Sequence, residues 1–333
     1  MTDKTVPGLM AEEIAASSAP AVADEAAPTA RRGFPWHVVV FLAPAVIIYT
    51  AVMILPLAET LRLSFFNRGA GGGEIFVGLQ NFARLFSDER WSGQFWNALW
   101  NNFYFFLIHM LVQNPIGVAL AALLSMANLP GRTFYRTAIF VPTMLSVVII
   151  GFAWKLILSP LWGVSSGLLG AVGLKWLYAP WLGKEEYALT TLSLISVWQN
   201  VGIPMMLIYA ALLNIPDEVV EAADLDGVRG PALFFKVKLP LILPSLGIIS
   251  ILTFIGNFNA FDLIYATQGA LAGPNYATDI LGTLLYRVFF GFQLQAGDPH
   301  MGATVAAVMF LIILTGVMIY LLGVQRRMTR YPF

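Results

Sequence analysis

Six polar side chains stand at helical spacing inside two runs that are otherwise apolar: Ser196, Gln199 and Asn200 in one, Thr253, Asn257 and Asp262 in the other. Thr253 and Asn257 are four residues apart and share a helix face, as Ser196 and Asn200 more loosely do. Amide and hydroxyl groups both donate and accept, so two such stripes can line one cavity and pair with the hydroxyls of a sugar, while interleaved rings such as Trp198 cover its apolar face. Polar groups are costly in hydrocarbon, which makes the cluster a candidate pathway. The competing reading is that the same groups hydrogen-bond helix to helix and only hold the bundle together. Asp262 also keeps two readings, a carboxylate that grips two hydroxyls or one solvated near an interface. Gln113, Asn114 and Pro115 read as a kink with its local hydrogen bonds.

Other chemistry is missing. No Gly-x-x-x-x-Gly-Lys-Ser/Thr string occurs; Gly183 and Lys184 come nearest, with Tyr178 where the first glycine should stand. His37, His109 and His300 are scattered toward the ends of apolar runs and form no metal set. Cysteine is absent, which removes disulfides and thiolate chemistry, and the net charge of zero gives no basic excess for nucleic acid. The chain is therefore not expected to be an enzyme, nor to hold a metal or cofactor of its own.

The elements that must position these residues are membrane spans. Hydrophobic residues make up 58% and charged residues 11%, with mean hydropathy +0.74, which a water-soluble globule of 333 residues could not cover with polar surface. About 20 apolar residues in helical form cross the hydrocarbon core. Six such runs are predicted, near 36–57, 100–127, 134–158, 189–213, 239–267 and 301–324. Arg31 and Arg32, Arg132 and Arg136, Arg229 with Lys236 and Lys238, and Arg326, Arg327 and Arg330 place the termini and the two even connections in the cytoplasm. The connections after spans one, three and five mix both signs, as at Lys184, Glu185 and Glu186.

Residues 1–33 are rich in Ala, Pro, Ser and acids without an apolar period, the composition of a disordered cytoplasmic tail; residues 34–333 form the membrane domain. Arg31–Arg32 followed by a long run with Pro44 and Pro56, and no small-residue cleavage site, favours an uncleaved first span over an export signal. Gly69, Gly71, Gly72 and Gly73 mark a flexible turn. Leu79, Phe82, Leu85 and Phe86 then predict a short amphipathic helix, more for packing than for a partner.

Between spans four and five lies a charged, glycine-punctuated island. Pro216, Asp217 and Glu218 open a helix in the usual way, with acids at the positive end of its dipole. Gly227 is placed to end that helix in the left-handed conformation. Gly230 with Pro231 starts a second helix, with Phe234, Phe235 and Val237 as its apolar face, closed by Pro240. Residue by residue this is an ordered loop with helix caps.

Taken whole, the string from Glu221 to Pro240, EAADLDGVRGPALFFKVKLP, resembles the EAA loop of membrane subunits of ABC importers. The matching positions are Glu221, Ala222, Ala223, Asp226, Gly227, Leu239 and Pro240. FLAPAVIIY, VGLQNF, FVPTMLS, VWQNVGIPMML and FNAFDLIYATQG extend the resemblance over most of the chain, toward maltose-type and glycerol-phosphate-type permeases. One departure is clear: where the family commonly has Thr soon followed by Gly-Gly-Pro, this chain runs from Thr267 through Gln268, Gly269, Ala270, Leu271 and Ala272 to Gly273 and Pro274. The insertion alters the loop after span five.

The resemblance implies an all-α, polytopic bundle of six transmembrane helices of the type I importer class, in the bacterial inner membrane, with a cytoplasmic coupling loop at 216–240. Glu221 would pair with a basic residue of an ATPase subunit, Gly227 would set the turn, and Phe234 and Phe235 would pack at that contact. Ser196, Gln199, Asn200, Ile203, Thr253, Asn257 and Asp262 fall on the sugar-contact positions of the maltose-type subunit. Implied partners are a second, homologous permease in a heterodimer, two ATPase subunits that bind ATP and magnesium, and an external substrate-binding protein. The implied cargo is a di- or oligosaccharide, with glycerol phosphate or a polyol as the alternative. Two other classes compete: an intramembrane enzyme, such as a polyprenyl-linked glycosyl transferase with Asp262 as base, and a passive channel gated by the loop. The first requires a metal or acid cluster that the loops do not contain.

Overall fold

The computed structural model describes residues 36–69, 71–126, 129–293 and 295–325. The expected tail at 1–33 and the cations Arg31, Arg32, Arg326, Arg327 and Arg330 lie outside the described residues. The chain divides into two compact units, 1–54 and 55–333. The first holds α1 (Trp36–Tyr49), with Pro44 inside it, and a π-helical turn at Thr50–Ile54. Its apolar side chains are largely exposed, Phe41 by 82%, as suits a helix whose solvent is lipid.

The second unit is built of helices joined by loops, with two short hairpins among the described residues. Its first helix, α2 (Leu55–Leu63), leads into β1 (Phe66–Arg68) and β2 (Glu74–Phe76), paired antiparallel with Phe66 opposite Phe76. The glycines read as a flexible turn are thus the end of an ordered hairpin, which Arg62 braces by bridging Glu59 and Glu74. α3 (Gln80–Ser87) is the predicted amphipathic helix, and it packs: Leu85 is buried, Phe82 touches the core, and Asn81 donates to the carbonyls of Ser64 (3.0 Å) and Phe66 (2.8 Å).

α4 (Glu89–Ile108), a π turn at His109–Gln113 and α5 (Asn114–Leu124) form one long helix. α6 (Arg132–Met144) and α7 (Val147–Ile157) follow, then the short α8 (Ser165–Ala171). α9 (Glu185–Asn200) and α10 (Gly202–Leu213) lead to the island, made of α11 (Asp217–Leu225), α12 (Pro231–Leu233), a π turn at Phe234–Lys238 and α13 (Leu239–Leu241). α14 (Leu243–Phe258), α15 (Asp262–Gln268), α16 (Leu281–Phe290), the hairpin β3 (Gly291–Phe292) and β4 (Gln295–Ala296), and α17 (Pro299–Ile319) complete the unit.

Among the described residues, four helical stretches are long and apolar enough to cross a membrane: Val38–Leu63, Glu89–Leu124, Leu243–Gln268 and Pro299–Gly323. Two more qualify only as bent pairs, α6 with α7 at 96° and α9 with α10 at 42°. The predicted runs at 134–158 and 189–213 are therefore each broken into two helices. In the first pair Leu145 and Ser146 are extended (ψ 145° and 131°) just after Pro142, so the helical ladder stops and restarts. The predicted run at 100–127 also begins too late; its helix starts at Glu89, because the polar first turns lower the hydropathy without weakening the helix.

Three of the π turns share a cause. They end at Ile54, Gln113 and Lys238, two residues before Pro56, Pro115 and Pro240. A proline ring collides with the carbonyl four residues back, and widening the preceding turn to an i→i−5 bond makes room. The amide of Asn114 reaches the His109 carbonyl in this way, and that of Leu239 reaches Phe234. Pro240 accordingly does not close the second island helix, as the sequence suggested; helix resumes at Leu239–Leu241, and the break comes at Ile242 (φ −91°, ψ 1°).

Three apolar clusters hold the unit together. One gathers α3, α4, α16 and α17 around Phe95, Leu284 and Met301; a second gathers α5, α10 and the start of α14 around Met205 and Ile208; the third joins α7, α9 and α15 around Leu192 and Ile264. α10 also crosses α6 at a distance that only glycine permits. A Cβ on Gly202 would stand 2.9 Å from Thr143 Oγ1 and 3.0 Å from Phe140 Cα. Gly202→Ala is expected to cost about 1–3 kcal/mol by overpacking, read as a lower midpoint in denaturant unfolding; an unchanged midpoint would mean the crossing has slack.

Candidate functional site

One cavity of about 500 Å³ opens between α4, α9–α10 and α14–α15. All seven residues predicted for a ligand, Ser196, Gln199, Asn200, Ile203, Thr253, Asn257 and Asp262, lie on its wall. Ser196, Gln199, Thr253 and Asn257 are buried, Asn200 is half-buried, and Ile203 and Asp262 are exposed. The bend after Val201 turns Ile203 and Pro204 into the lining, and the break at Asn259–Phe261 does the same for Asp262.

The hydrogen bonds on this wall have a common direction. Gln199 Nε2 donates to the Leu145 carbonyl (3.3 Å), one of the backbone groups freed where α6 ends. Asn200 Nδ2 donates to Ser196 O (3.0 Å), Asn257 Nδ2 to Thr253 O (2.7 Å) and Asn259 Nδ2 to Ile255 O (3.0 Å). The Thr253 hydroxyl donates to Ile249 O (2.8 Å) and meets the Asn114 amide at 3.2 Å. Most of these donors are thus spent within their own helix, while Gln199 reaches from α9 to the end of α6 and Asn114 pairs with Thr253 across helices; among the described residues the side-chain oxygens of Asn257 and Gln113 have no hydrogen-bond partner.

α4 supplies a third wall that the sequence reading missed. Phe105, His109 and Gln113 line the cavity, with His109 and Gln113 buried. His109 was placed near a span end because hydropathy starts its helix late; it lies in the middle of a helix that runs from Glu89 to Leu124. Its Nδ1 is 2.8 Å from Phe105 O and its Nε2 is 2.9 Å from Ser196 Oγ. A carbonyl only accepts, so Nδ1 carries the proton, and in the neutral ring Nε2 accepts from the serine. The Gln113–Asn114–Pro115 kink is present as a π turn, but Asn114 bonds across to Thr253 rather than only locally. The signal available in the sequence was His109 four residues before Gln113, on one helix face.

The island is a second candidate. α11 ends in a left-handed Gly227 (φ 75°), with Val228 N bonded to Ala223 O (2.8 Å) and Gly227 N to Asp224 O (3.1 Å). This is the paired 6→1 and 5→2 closure that needs φ > 0 at its centre. Arg229 bridges back to Asp224 and holds that carboxyl below the usual range. Ala223 and Phe234 turn inward, and Leu239 is half-buried. Glu221, Ala222, Asp226, Gly227, Phe235 and Pro240 are exposed, and Glu221 makes no side-chain bond among the described residues. Leu225, not singled out in the sequence, is 89% exposed beside them. The second helix thus splits its predicted apolar face, with Phe234 in the second apolar cluster and Phe235 outside.

The inserted loop after α15 is tightly held. Arg287 and Asp279, both buried, pair at 2.6 Å. Arg287 also donates to Ala270 O (3.0 Å) and Gln94 Oε1 (3.3 Å), and its guanidinium lies 4.8 Å from the Tyr276 ring centroid. Thr283 donates to Asp279 (2.6 Å), while Asn97 and Asn101 on α4 bond the backbone of Tyr276 and Asp279.

Residues 113–330, which include the island and all of the cavity wall except Phe105 and His109, match the family described as the binding-protein-dependent transport system inner membrane component. The chain belongs to this family. It is similar to the probable ABC transporter permease protein YurN of Bacillus subtilis, 33% identical over 75% of this chain and 84% of that protein. It is also similar to the multiple sugar-binding transport system permease protein MsmF of Streptococcus mutans, 30% identical over 82% and 90%. The fold matches that of a bacterial alginate ABC transporter solved with its pentasaccharide-bound periplasmic protein, with a TM-score of 0.72 over 90% of this chain and 96% of that one at 22% identity. The chain is thus a multi-pass inner-membrane permease subunit of an ABC transporter, and not an enzyme.

Proposed function

We propose that this permease is one half of a heterodimeric channel that imports a di- or oligosaccharide by alternating access. The observation that carries the reading is the convergence of two polar stripes, from different broken spans, on one cavity. The sugar-transport names of its relatives support the same cargo. Each bent pair counts as one crossing, giving six spans with both termini in the cytoplasm. An external binding protein delivers the sugar. Two ATPase subunits, which bind ATP and magnesium, move the island at 216–240, with Glu221 toward a basic residue of the ATPase and Phe235 and Leu225 in its cleft. Phe234 acts from the inner side, transmitting movement to the second apolar cluster. Movement of this kind requires a stiff element favoured in different positions by different nucleotide states, which two capped helices provide. The channel binds no cofactor itself.

Glycerol phosphate is the weaker cargo, since among the described residues no Lys or Arg lines the cavity. Reconstitution with the partner permease, ATPase and binding protein tests the scheme. ATP hydrolysis stimulated by sugar-loaded binding protein, with ATP-dependent uptake, is expected. Flux without ATP would make this a channel, and turnover without a partner would make it an enzyme. Asn257→Leu, which removes a cavity acceptor and keeps the branched side-chain shape, is expected to raise the KM of uptake about tenfold; an unchanged KM would leave Asn257 with a structural role only.

A further inference from the structure

We infer that the cavity is polarised as an acceptor surface, to which His109 commits the Ser196 hydroxyl, and that this polarity selects an uncharged, hydroxyl-donating ligand over an anionic one. The inference rests on the proposed sugar site and refines its substrate class. Four amides on the wall turn their NH2 groups into the protein, at Gln199, Asn200, Asn257 and Asn259. Those orientations follow from the partners, because each faces a carbonyl that can only accept. Ser196 is committed likewise: with Nδ1 of His109 bound to the Phe105 carbonyl, Nε2 takes the serine proton, and Asn200 Nδ2 approaches the hydroxyl from the other side at 3.4 Å. What the serine has left for a ligand is a lone pair.

The unpartnered atoms agree. Gln113 Oε1 and Asn257 Oδ1 belong to side chains more than nine-tenths buried, line the cavity and meet no protein donor. Both atoms are shut from solvent in this conformation. Among the described residues that line the cavity, taking the ring of His109 as neutral, Asp262 carries the one formal charge, and none is Lys or Arg. A sugar hydroxyl donates to such oxygens. A carboxylate or phosphate offers only acceptors and meets both these oxygens and the Asp262 charge.

The test uses the full chain assembled with its partner permease and ATPase subunits in nanodiscs, without binding protein. Methyl α-glucoside and methyl α-glucuronide, alike except for the carboxylate, are titrated by saturation-transfer NMR. The glucoside is expected to bind at least about tenfold more tightly than the glucuronide. His109→Ala should weaken the glucoside about tenfold. His109→Gln, whose amide oxygen still accepts from Ser196, should restore most of it. Ser196→Ala should cost little more once His109→Ala is present, a coupling that a purely structural histidine would not produce. Glucuronide bound as tightly as glucoside overturns the acceptor polarity. Glucoside affinity unaffected by His109→Ala overturns the role of the histidine while leaving the cavity as the sugar site. Failure of both glycosides, and of maltose titrated in the same way, to bind at any attainable concentration removes the cavity from sugar recognition, and the reading on which this inference rests falls with it.

Discussion

Alanine in place of Asp279 is expected to destabilise the folded chain by about 3–5 kcal/mol, because it leaves the guanidinium of Arg287 buried without a counter-charge. Arg287 is 1% exposed, and its Nε already lacks a partner. Its remaining bonds, to Ala270 O, Gln94 and the Tyr276 ring, are neutral and cannot offset the lost charge. Arg287→Ala should cost a similar amount by stranding the carboxylate. Replacing both, as Asp279→Leu with Arg287→Met, should recover much of the loss, since burying two ions is itself expensive. Denaturant unfolding of the purified chain measures all three. A loss under about 1 kcal/mol in either single variant would mean that water reaches the pair and screens it.

The second large effect concerns the island. Gly227→Val forces a β-branched residue to φ 75°, a conformation that costs non-glycine residues about 1–2 kcal/mol and branched ones more. Relief of that strain unwinds the closure at Ala223 and Asp224, so α11 loses its fixed angle to the following helix. Uptake is expected to fall about 10- to 100-fold while ATP hydrolysis continues, the range typical of a lost coupling free energy. Gly227→Asn, which tolerates the left-handed region, should retain most transport. Glu221→Ala should uncouple in the same direction without disturbing the fold, since the side chain is exposed and unbonded within the described residues. Parallel measurement of uptake and hydrolysis in proteoliposomes decides the matter: normal substrate-stimulated uptake by Glu221→Ala would remove the island from coupling.

Local signals in the sequence were read well where one element decided the outcome. The cap at Gly227, the helix start at Gly230–Pro231 and the polar stripes at 196–200 and 253–257 are short-range patterns, and the structure contains each of them. Three features resisted for a common reason. His109 joins the cavity because a partly polar helix begins eleven residues before its apolar run, and a hydropathy window registers composition rather than hydrogen bonding. Asp279 and Arg287 are brought together by tertiary packing of a loop against α16, which no periodicity records. Pro240 reads as a helix stop because proline removes a hydrogen bond, yet a single widened turn absorbs it. The 96° break at Leu145–Ser146 was hidden in the same way, since Pro142 inside an apolar run is compatible with either a kink or a reversal.

Gln199 binds the Leu145 carbonyl at the sharper bend, and Gly202, three residues on at the shallower bend, presses against Phe140 and Thr143. The two bends thus share one fastening. Neither pair can straighten without drawing the glycine off its seat and parting the Leu145 carbonyl from its donor. Mechanically the four half-helices form a single knuckle with two limbs, so movement imposed on one limb is handed to the other without passing through a loop.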